Sequence, residues 1–137
     1  MSNKSKSKKK LVKKSSYSCT DFSVAEEVYA RDPETILKYK KQKEVQGFDD
    51  TETWHLDRTL ALFLIPRLER FIQVNNGFPT GETEESYNEK LNFIVHSFKE
   101  YYYNEDEDVS LELEKERLLN AKKAAELLGK LWFDLWW

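Results

Sequence analysis

The sequence predicts an all-α protein, a small helical bundle with three long helices. Over long stretches of its 137 residues, apolar side chains recur three and four positions apart, which is the spacing of one helix face. Stretches that alternate between apolar and polar residues are missing, and four glycines and three prolines are too few for the turns of a β-sandwich. We therefore predict long helices over about 50–75, 84–103 and 109–136, with one or two short helices before them.

The first 16 residues differ in composition from the rest of the chain. They carry seven lysines and no acidic residue, so we predict that 1–16 is a disordered tail and that 17–137 is a single helical domain. The net charge of the whole chain is −3, and beyond the tail 15 basic residues stand against 25 acidic ones, a net charge of −10. Such a domain repels nucleic acid, whereas the lysine tail allows weak contact with it.

Cysteine content and hydropathy indicate a cytoplasmic protein. Cys19 is the only cysteine, which excludes an internal disulfide and favours a reducing compartment. No apolar run reaches the roughly 18 residues that cross a bilayer, and the lysine-rich start lacks the apolar segment of a secretory signal. We therefore expect a location in the cytoplasm and no membrane partner.

The segment Asp32-Pro33-Glu34 predicts the start of a helix. Aspartate accepts a hydrogen bond at the N-cap, proline fits the first helical turn, and an acid there interacts favourably with the positive end of the helix dipole. Gly47 is expected to end this helix, because glycine adopts the left-handed conformation found after helix C-termini.

The helix predicted over about 50–75 is the richest part of the chain. It is expected to begin at Asp49–Thr51, with Glu52 completing a capping box. Pro66 lies inside it, and because proline lacks an N–H donor, we expect a kink near 62–65. Residues at helical spacing predict a broad buried face, namely Trp54, Leu60, Phe63, Leu64, Leu68, Phe71 and Ile72.

Two further amphipathic helices are predicted, separated by the acidic run 104–108. The apolar stripe of the helix over 84–103 is expected to contain Tyr87, Leu91, Ile94, Val95, Phe98 and Tyr102. The stripe of the helix over 109–136 is expected to contain Leu111, Leu118, Ala121, Ala125, Leu128, Trp132 and Leu135.

The sequence offers little for catalysis or metal binding. Glu52 and His55 form one Glu-x-x-His unit, whereas di-iron bundles need two, and His96 has no glutamate at the required spacing. Cys19 has no histidine near it in sequence, and four glycines cannot build the loops that cradle phosphates or dinucleotides. We predict no metal site, no cofactor and no catalytic residue, and hence a protein that is not an enzyme.

Three arginines and two neighbours form the candidate ligand site. Arg67 and Arg70 are three positions apart and share a helix face, while Arg58, Asp57 and Trp54 lie earlier on the same predicted helix. Guanidinium groups bind phosphate or carboxylate oxygens in pairs, and a tryptophan ring stacks on a nucleobase. The alternative interpretation is that the arginines are surface residues paired with nearby acids.

The last seven residues, LWFDLWW, contain three tryptophans. Contiguous aromatic residues near a chain end indicate an interaction surface, so we predict that Trp132, Trp136 and Trp137 contribute to an interface in a homo-oligomer. The alternative is that they fold back and cover the end of the bundle.

The segment from Gly47 to Pro79 resembles small uncharacterised bacteriophage proteins. The shared pattern reads GF-DD-T-TW-LD-TLA-F-IPRL-RF followed by NNGFP, and with an aromatic-rich last helix it extends over about 47–137. The matching positions are Trp54, Leu56, Asp57, Thr59, Pro66, Arg67, Leu68, Arg70 and Phe71.

The resemblance implies a function by binding, since no activity is established for such relatives and compact phage proteins without enzyme motifs often act on partners. We expect a non-enzymatic binding or interaction protein, an assembly or host-factor docking module. One alternative is an anti-defence protein that sequesters a phosphorylated nucleotide signal of bacterial immunity or engages a host defence protein. A small hydrolase acting on such a signal is a second alternative.

Overall fold

The structure is a computed structural model that describes residues 18–103 and 108–136. These ranges contain helices and no β-strand, so the prediction of an all-α fold is confirmed. None of the described helices is both long enough and apolar enough to cross a membrane. The tail predicted over 1–16 lies outside the described residues. The helices are α1 (Ala25–Val28), α2 (Pro33–Gln46), α3 (Leu56–Val74), α4 (Glu84–Tyr102) and α5 (Leu111–Lys130), with 3₁₀ helices at Asp50–Thr53 and Trp132–Asp134.

The chain divides into two compact units, Met1–Phe63 and Leu64–Trp137. The boundary falls within α3, so the first unit holds α1, α2 and the first 3₁₀ helix, and the second holds α4, α5 and the second 3₁₀ helix. The prediction of one domain over 17–137 stays a prediction.

In the first unit, α2 begins and ends as predicted. The side chain of Asp32 accepts a hydrogen bond of 3.2 Å from the Thr35 amide, and Pro33 is the first helical residue. Gly47 follows the helix with a φ of 89°, and its amide donates to the carbonyl of Lys43 at 2.9 Å. A residue with a Cβ adopts this left-handed conformation only at a cost, which explains why a glycine ends the helix.

The predicted capping box at Asp49 is present, but it begins a 3₁₀ helix. The Asp49 carboxylate accepts from the Thr51 amide at 2.8 Å, and the Asp49 amide donates to the Glu52 carboxylate at 2.8 Å. The next amides then bond three residues back, as from Trp54 to the Thr51 carbonyl at 3.3 Å, which is the 3₁₀ pattern. The α-helix expected from about residue 50 therefore begins at Leu56.

The buried face of α3 differs from the predicted one. Trp54, Leu60 and Phe63 were expected in the core and are exposed. Leu68 is buried as predicted, and the other buried residues of α3 are Ala61, Leu62 and Ile65. The run from residue 60 to 65 is apolar on every side of the helix, so spacing alone does not determine which side is buried. The helix continues past Pro66 to Val74, and the kink expected near 62–65 stays a prediction.

In the second unit, α4 and α5 pack against each other in opposite directions. The Tyr87 hydroxyl, near the start of α4, donates to the Asp134 carbonyl beyond the end of α5, at 2.5 Å. At the other end, Arg117 Nε lies 3.4 Å from the Glu100 carboxylate. The predicted stripe of α4 is confirmed in its main part, because Tyr87, Leu91, Ile94, Val95 and Phe98 are all buried.

The last helix is shorter than predicted, and its buried stripe agrees with the prediction at Ala121 and Leu128 only. It ends at Lys130 rather than near 136, because Gly129 weakens the last turn and the chain then forms the 3₁₀ helix Trp132–Asp134, which Tyr87 holds. Its buried residues are Ala121, Ala124 and Leu128, followed by Leu131. Of the residues expected in the stripe, Leu111, Leu118, Ala125 and Trp132 are exposed.

We expect Leu68→Ala to lower the free energy of unfolding by about 2–5 kcal/mol, the range for a large-to-small change in a core. Leu60→Ala, on the exposed part of the same helix, is the matched control and should cost less than about 1 kcal/mol. Denaturant unfolding of both variants measures the difference, and equal losses would contradict the buried face described here.

We expect Asp49→Ala to destabilise the protein by about 2–4 kcal/mol, because it removes a helix cap and leaves buried donors without their acceptor. The neighbouring Asp50→Ala, at an exposed position, should cost less than about 1 kcal/mol. Thermal unfolding compares the two, and a harmless Asp49→Ala would show that the network around this carboxylate contributes little.

Candidate functional site

The first unit contains three of the residues predicted to bind a ligand: Trp54, Asp57 and Arg58. The Trp54 side chain is 47% exposed, and its ring lies edge-on to Tyr29 with 6.1 Å between the ring centroids. Burial lowers the pKa of the Arg58 guanidinium, and the adjacent Asp57 carboxylate opposes this shift. Arginine nevertheless stays charged at neutral pH. The Trp54 ring therefore contacts Tyr29 within the unit, and about half of its side chain remains accessible to solvent.

The second unit contains the other two, Arg67 and Arg70, on α3. Both are exposed, and Arg70 donates from Nη1 to the Gln73 side chain at 3.0 Å. Their shared helix face agrees with the spacing on which the prediction was based. Anion binding by these arginines stays a prediction.

A cavity in the first unit was not anticipated from the sequence. Its volume is about 360 Å³, and side chains from α1, α2 and the loops beside them line it: Ser18, Asp21, Ser23, Ala25, Glu26, Glu27, Ile36, Tyr39, Lys40, Lys43 and Asp49. The charged members come from three separate segments, 21–27, 40–43 and residue 49, so no single motif contains them. Only the packing of α1 and α2 brings these residues together.

An ion pair at the cavity joins Lys43 to Asp21. Burial raises the pKa of the Asp21 carboxyl, but the hydrogen bond and charge of Lys43 and a backbone hydrogen bond from Ser23 outweigh it, so that the pKa lies below its ordinary value. Lys43 Nζ also lies 3.8 Å from the Glu52 carboxylate. This lysine therefore joins α2 to the segments on both sides of it.

The most deeply buried acid at the cavity, Asp49, serves the fold. Its side chain is 2% exposed and accepts from the Ser23 hydroxyl, from the Thr51 amide and from the Thr51 hydroxyl at 2.5 Å. The Thr51 hydroxyl oxygen in turn accepts from the Val24 amide at 3.1 Å. With three donors on its two oxygens, this carboxylate holds the segment before α1 against the first 3₁₀ helix.

Tyr39 is the aromatic residue in the lining of the cavity. Burial raises the pKa of the Tyr39 hydroxyl, and the neighbouring Tyr29, whose ring centroid lies 5.6 Å away, adds to the shift. Within the described ranges, no three histidine, cysteine, aspartate or glutamate side chains are grouped so that they could hold a metal ion.

The end of the described chain presents its aromatic residues to solvent. Trp132 is 58% exposed, Phe133 is 88% exposed and Trp136 is 73% exposed. We call these three residues the aromatic end. Trp132 and Trp136, predicted as interface residues, do not fold back onto the helices, and Phe133 is a member that the sequence reasoning missed. The third predicted interface residue, Trp137, lies outside the described residues.

The backbone of the aromatic end is anchored. The Asp134 carbonyl accepts from the Tyr87 hydroxyl, and Leu131 is buried just before it. Burial raises the pKa of the Tyr87 hydroxyl, and the charge of Asp134 adds to this effect, so the hydroxyl keeps the proton that it donates. The aromatic side chains are therefore exposed on a turn whose backbone is fixed by a hydrogen bond from α4.

Comparison with known proteins adds no relative, since no protein-family model, no curated protein and no solved structure matches this chain. The resemblance of 47–137 to small phage proteins stays a prediction from its motif.

We expect Lys43→Gln to raise the pKa of Asp21, because the variant removes the lowering contact and leaves the effect of burial. Lys40→Gln, at another lysine that lines the cavity and lies 4.0 Å from Glu26, is the control and should leave Asp21 unchanged. Titration of the Asp21 carboxyl carbon by NMR measures both.

The sign of the effect on stability follows from linkage. The folded pKa of Asp21 lies below its ordinary value of 3.8, so its contribution is complete above that pH and is lost as the pH falls through the folded value. In Lys43→Gln this loss in acid should become smaller. An Asp21 pKa that moves equally in both variants would contradict the specific role of Lys43.

Proposed function

We propose that this protein is a non-enzymatic interaction module that docks on a protein partner through its aromatic end. The observation that carries the proposal is the exposure of Trp132, Phe133 and Trp136 within five residues of the chain. Large contiguous apolar side chains on the surface of a soluble protein mark interaction sites, because their contact with water is unfavourable.

The chemistry of the aromatic end suits a protein interface. Each aromatic side chain removes about 150–250 Å² from water when it is buried, and tryptophan is the residue most enriched among those that dominate binding energy. The hydrogen bond from Tyr87 holds the turn before any partner arrives. A held turn loses less conformational freedom on binding, which favours affinity.

The resemblance to phage proteins supports the same class of function, an assembly or host-factor docking module. Sequestration of a phosphorylated nucleotide through Arg58, Arg67 and Arg70 stays a prediction that no described contact favours, as does a small hydrolase. For the aromatic end, in contrast, the structure gives the exposure of the side chains and the hydrogen bond that anchors their backbone.

Photochemical crosslinking tests the proposal. A benzophenone-bearing phenylalanine analogue is placed at position 133, the purified full chain is added to a bacterial lysate, and adducts are identified by mass spectrometry. We expect adducts with a protein, and about ten-fold less of them when Trp132→Ala and Trp136→Ala are added.

The same analogue at position 123 is the control, because Lys123 is exposed on α5 but does not belong to the aromatic end. Adducts with a second copy and adducts with another protein are counted at both positions. If position 133 gives no more of either kind than position 123, the aromatic end is not a docking surface.

A further inference from the structure

The cavity of the first unit has the size of a site for a small molecule. Its volume of about 360 Å³ lies in the range of ligand pockets, roughly 300–1,000 Å³. All of its lining residues belong to the first unit. Ala25, Ile36 and Tyr39 give the lining an apolar part, and the other lining residues are polar or charged. This mixture suits a ligand that has charged ends and a short apolar middle.

The charges around the cavity favour a positively charged ligand. Four acidic and two basic side chains line it, a net charge of −2. The pKa of the Asp21 carboxyl lies below its ordinary value, so this group is a carboxylate at neutral pH. Residues 18–63 together hold ten acidic and six basic side chains, a net charge of −4, so the surroundings have the same sign as the cavity. A field of this sign attracts cations and repels phosphates and carboxylates.

Two carboxylates in the lining can accept further hydrogen bonds. Lys43 and a backbone amide both donate to Oδ1 of Asp21, and among the described residues no donor reaches its Oδ2. The Glu26 carboxylate lies 4.0 Å from the Lys40 Nζ, which is longer than a hydrogen bond. Asp49 differs from both, because its oxygens already accept from three donors. Asp21 precedes α1 and Glu26 lies within it, so the two acceptors come from different segments.

We propose that the cavity binds a short organic diamine, with one ammonium group at the Asp21 carboxylate and the other at the Glu26 carboxylate. An ammonium group has three donors and no acceptor, so it suits a carboxylate that can still accept. Two positive charges offset the net charge of the lining. The methylene groups between them would contact Ile36 and Tyr39. This site lies in the first unit, so the proposal does not depend on the aromatic end.

NMR titration of the full chain with four compounds of the same chain length tests the ligand class. Putrescine is butane with an amine at each end, and it should shift the backbone amide signals of Ala25, Ile36 and Tyr39 until they saturate at low ionic strength. Butanediol has the same length without charge, succinate carries two carboxylates, and γ-aminobutyrate carries one amine and one carboxylate. These three should leave the same signals unsaturated at the concentrations where putrescine saturates them.

Three substitutions test the charges of the lining. Glu26→Gln removes one of the two carboxylates and should raise the putrescine Kd by about three- to ten-fold. Glu44→Gln is the matched control, because Glu44 is exposed on α2 but does not line the cavity, and the Kd should change by less than about two-fold. Lys40→Gln removes the cation that faces Glu26 and should lower the Kd by about two- to five-fold.

Several outcomes overturn the proposal. One is the absence of any saturable shift with putrescine at the amides of the lining. Another is binding of butanediol, succinate or γ-aminobutyrate as tight as that of putrescine. Equal changes of the Kd in Glu26→Gln and Glu44→Gln would place the binding elsewhere. Circular dichroism shows whether Glu26→Gln is folded. If it is not, Lys40→Gln decides, because a putrescine Kd that rises or stays the same in that variant contradicts the proposal.

Discussion

The hydrogen bond from the Tyr87 hydroxyl to the Asp134 carbonyl joins the beginning of α4 to the turn that follows α5. The docking surface proposed for the second unit depends on it, because it anchors the backbone of the turn that carries the aromatic end. Tyr87 is buried, and a buried hydroxyl needs an acceptor. The Tyr87 hydroxyl on α4 therefore needs an acceptor, and the Asp134 carbonyl provides it. In this arrangement the three aromatic side chains of the aromatic end remain in solvent.

A comparable role in the first unit belongs to the carboxylate of Asp49. Its oxygens receive donors from Ser23 and Thr51, which lie on opposite sides of α2 in the sequence. The segment before α1 and the segment after α2 are thereby held to one acceptor, and the cavity lies among the same elements. Ser23 and Asp49 line this cavity, and the hydrogen bond between them also holds its surrounding segments together.

The sequence predicted the helices well because their signals are local. The Asp32 and Asp49 caps, the glycine after α2 and the apolar stripe of α4 each depend on residues within a few positions of one another. The predicted faces of α3 and α5 were wrong where both sides of the helix are apolar, as at Leu60 and Leu118. There the buried side is decided by what packs against it, which periodicity does not contain.

The candidate sites also differ in whether local sequence or tertiary packing creates them. The three tryptophans in LWFDLWW led to the prediction of Trp132 and Trp136 as interface residues, although Trp132 was also expected in the buried stripe of the last helix. The cavity of the first unit could not be predicted, because Asp21, Lys43 and Asp49 meet only after α1 and α2 have packed. The arginines of α3 have the predicted spacing, but spacing along one helix does not show whether a ligand can reach them.

The ion pair of Arg117 with Glu100 has a consequence for the register of the α4–α5 pair. Leu91 of α4 and Ala124 of α5 are buried, and the burial of apolar side chains is a non-directional interaction. Arg117 lies one helical turn before Ala121, in line with the buried stripe, and its Nε lies 3.4 Å from the Glu100 carboxylate. A shifted pairing would separate the largely buried guanidinium from Glu100, so this ion pair disfavours misaligned versions of the hairpin even if it adds little to the stability of the correct one.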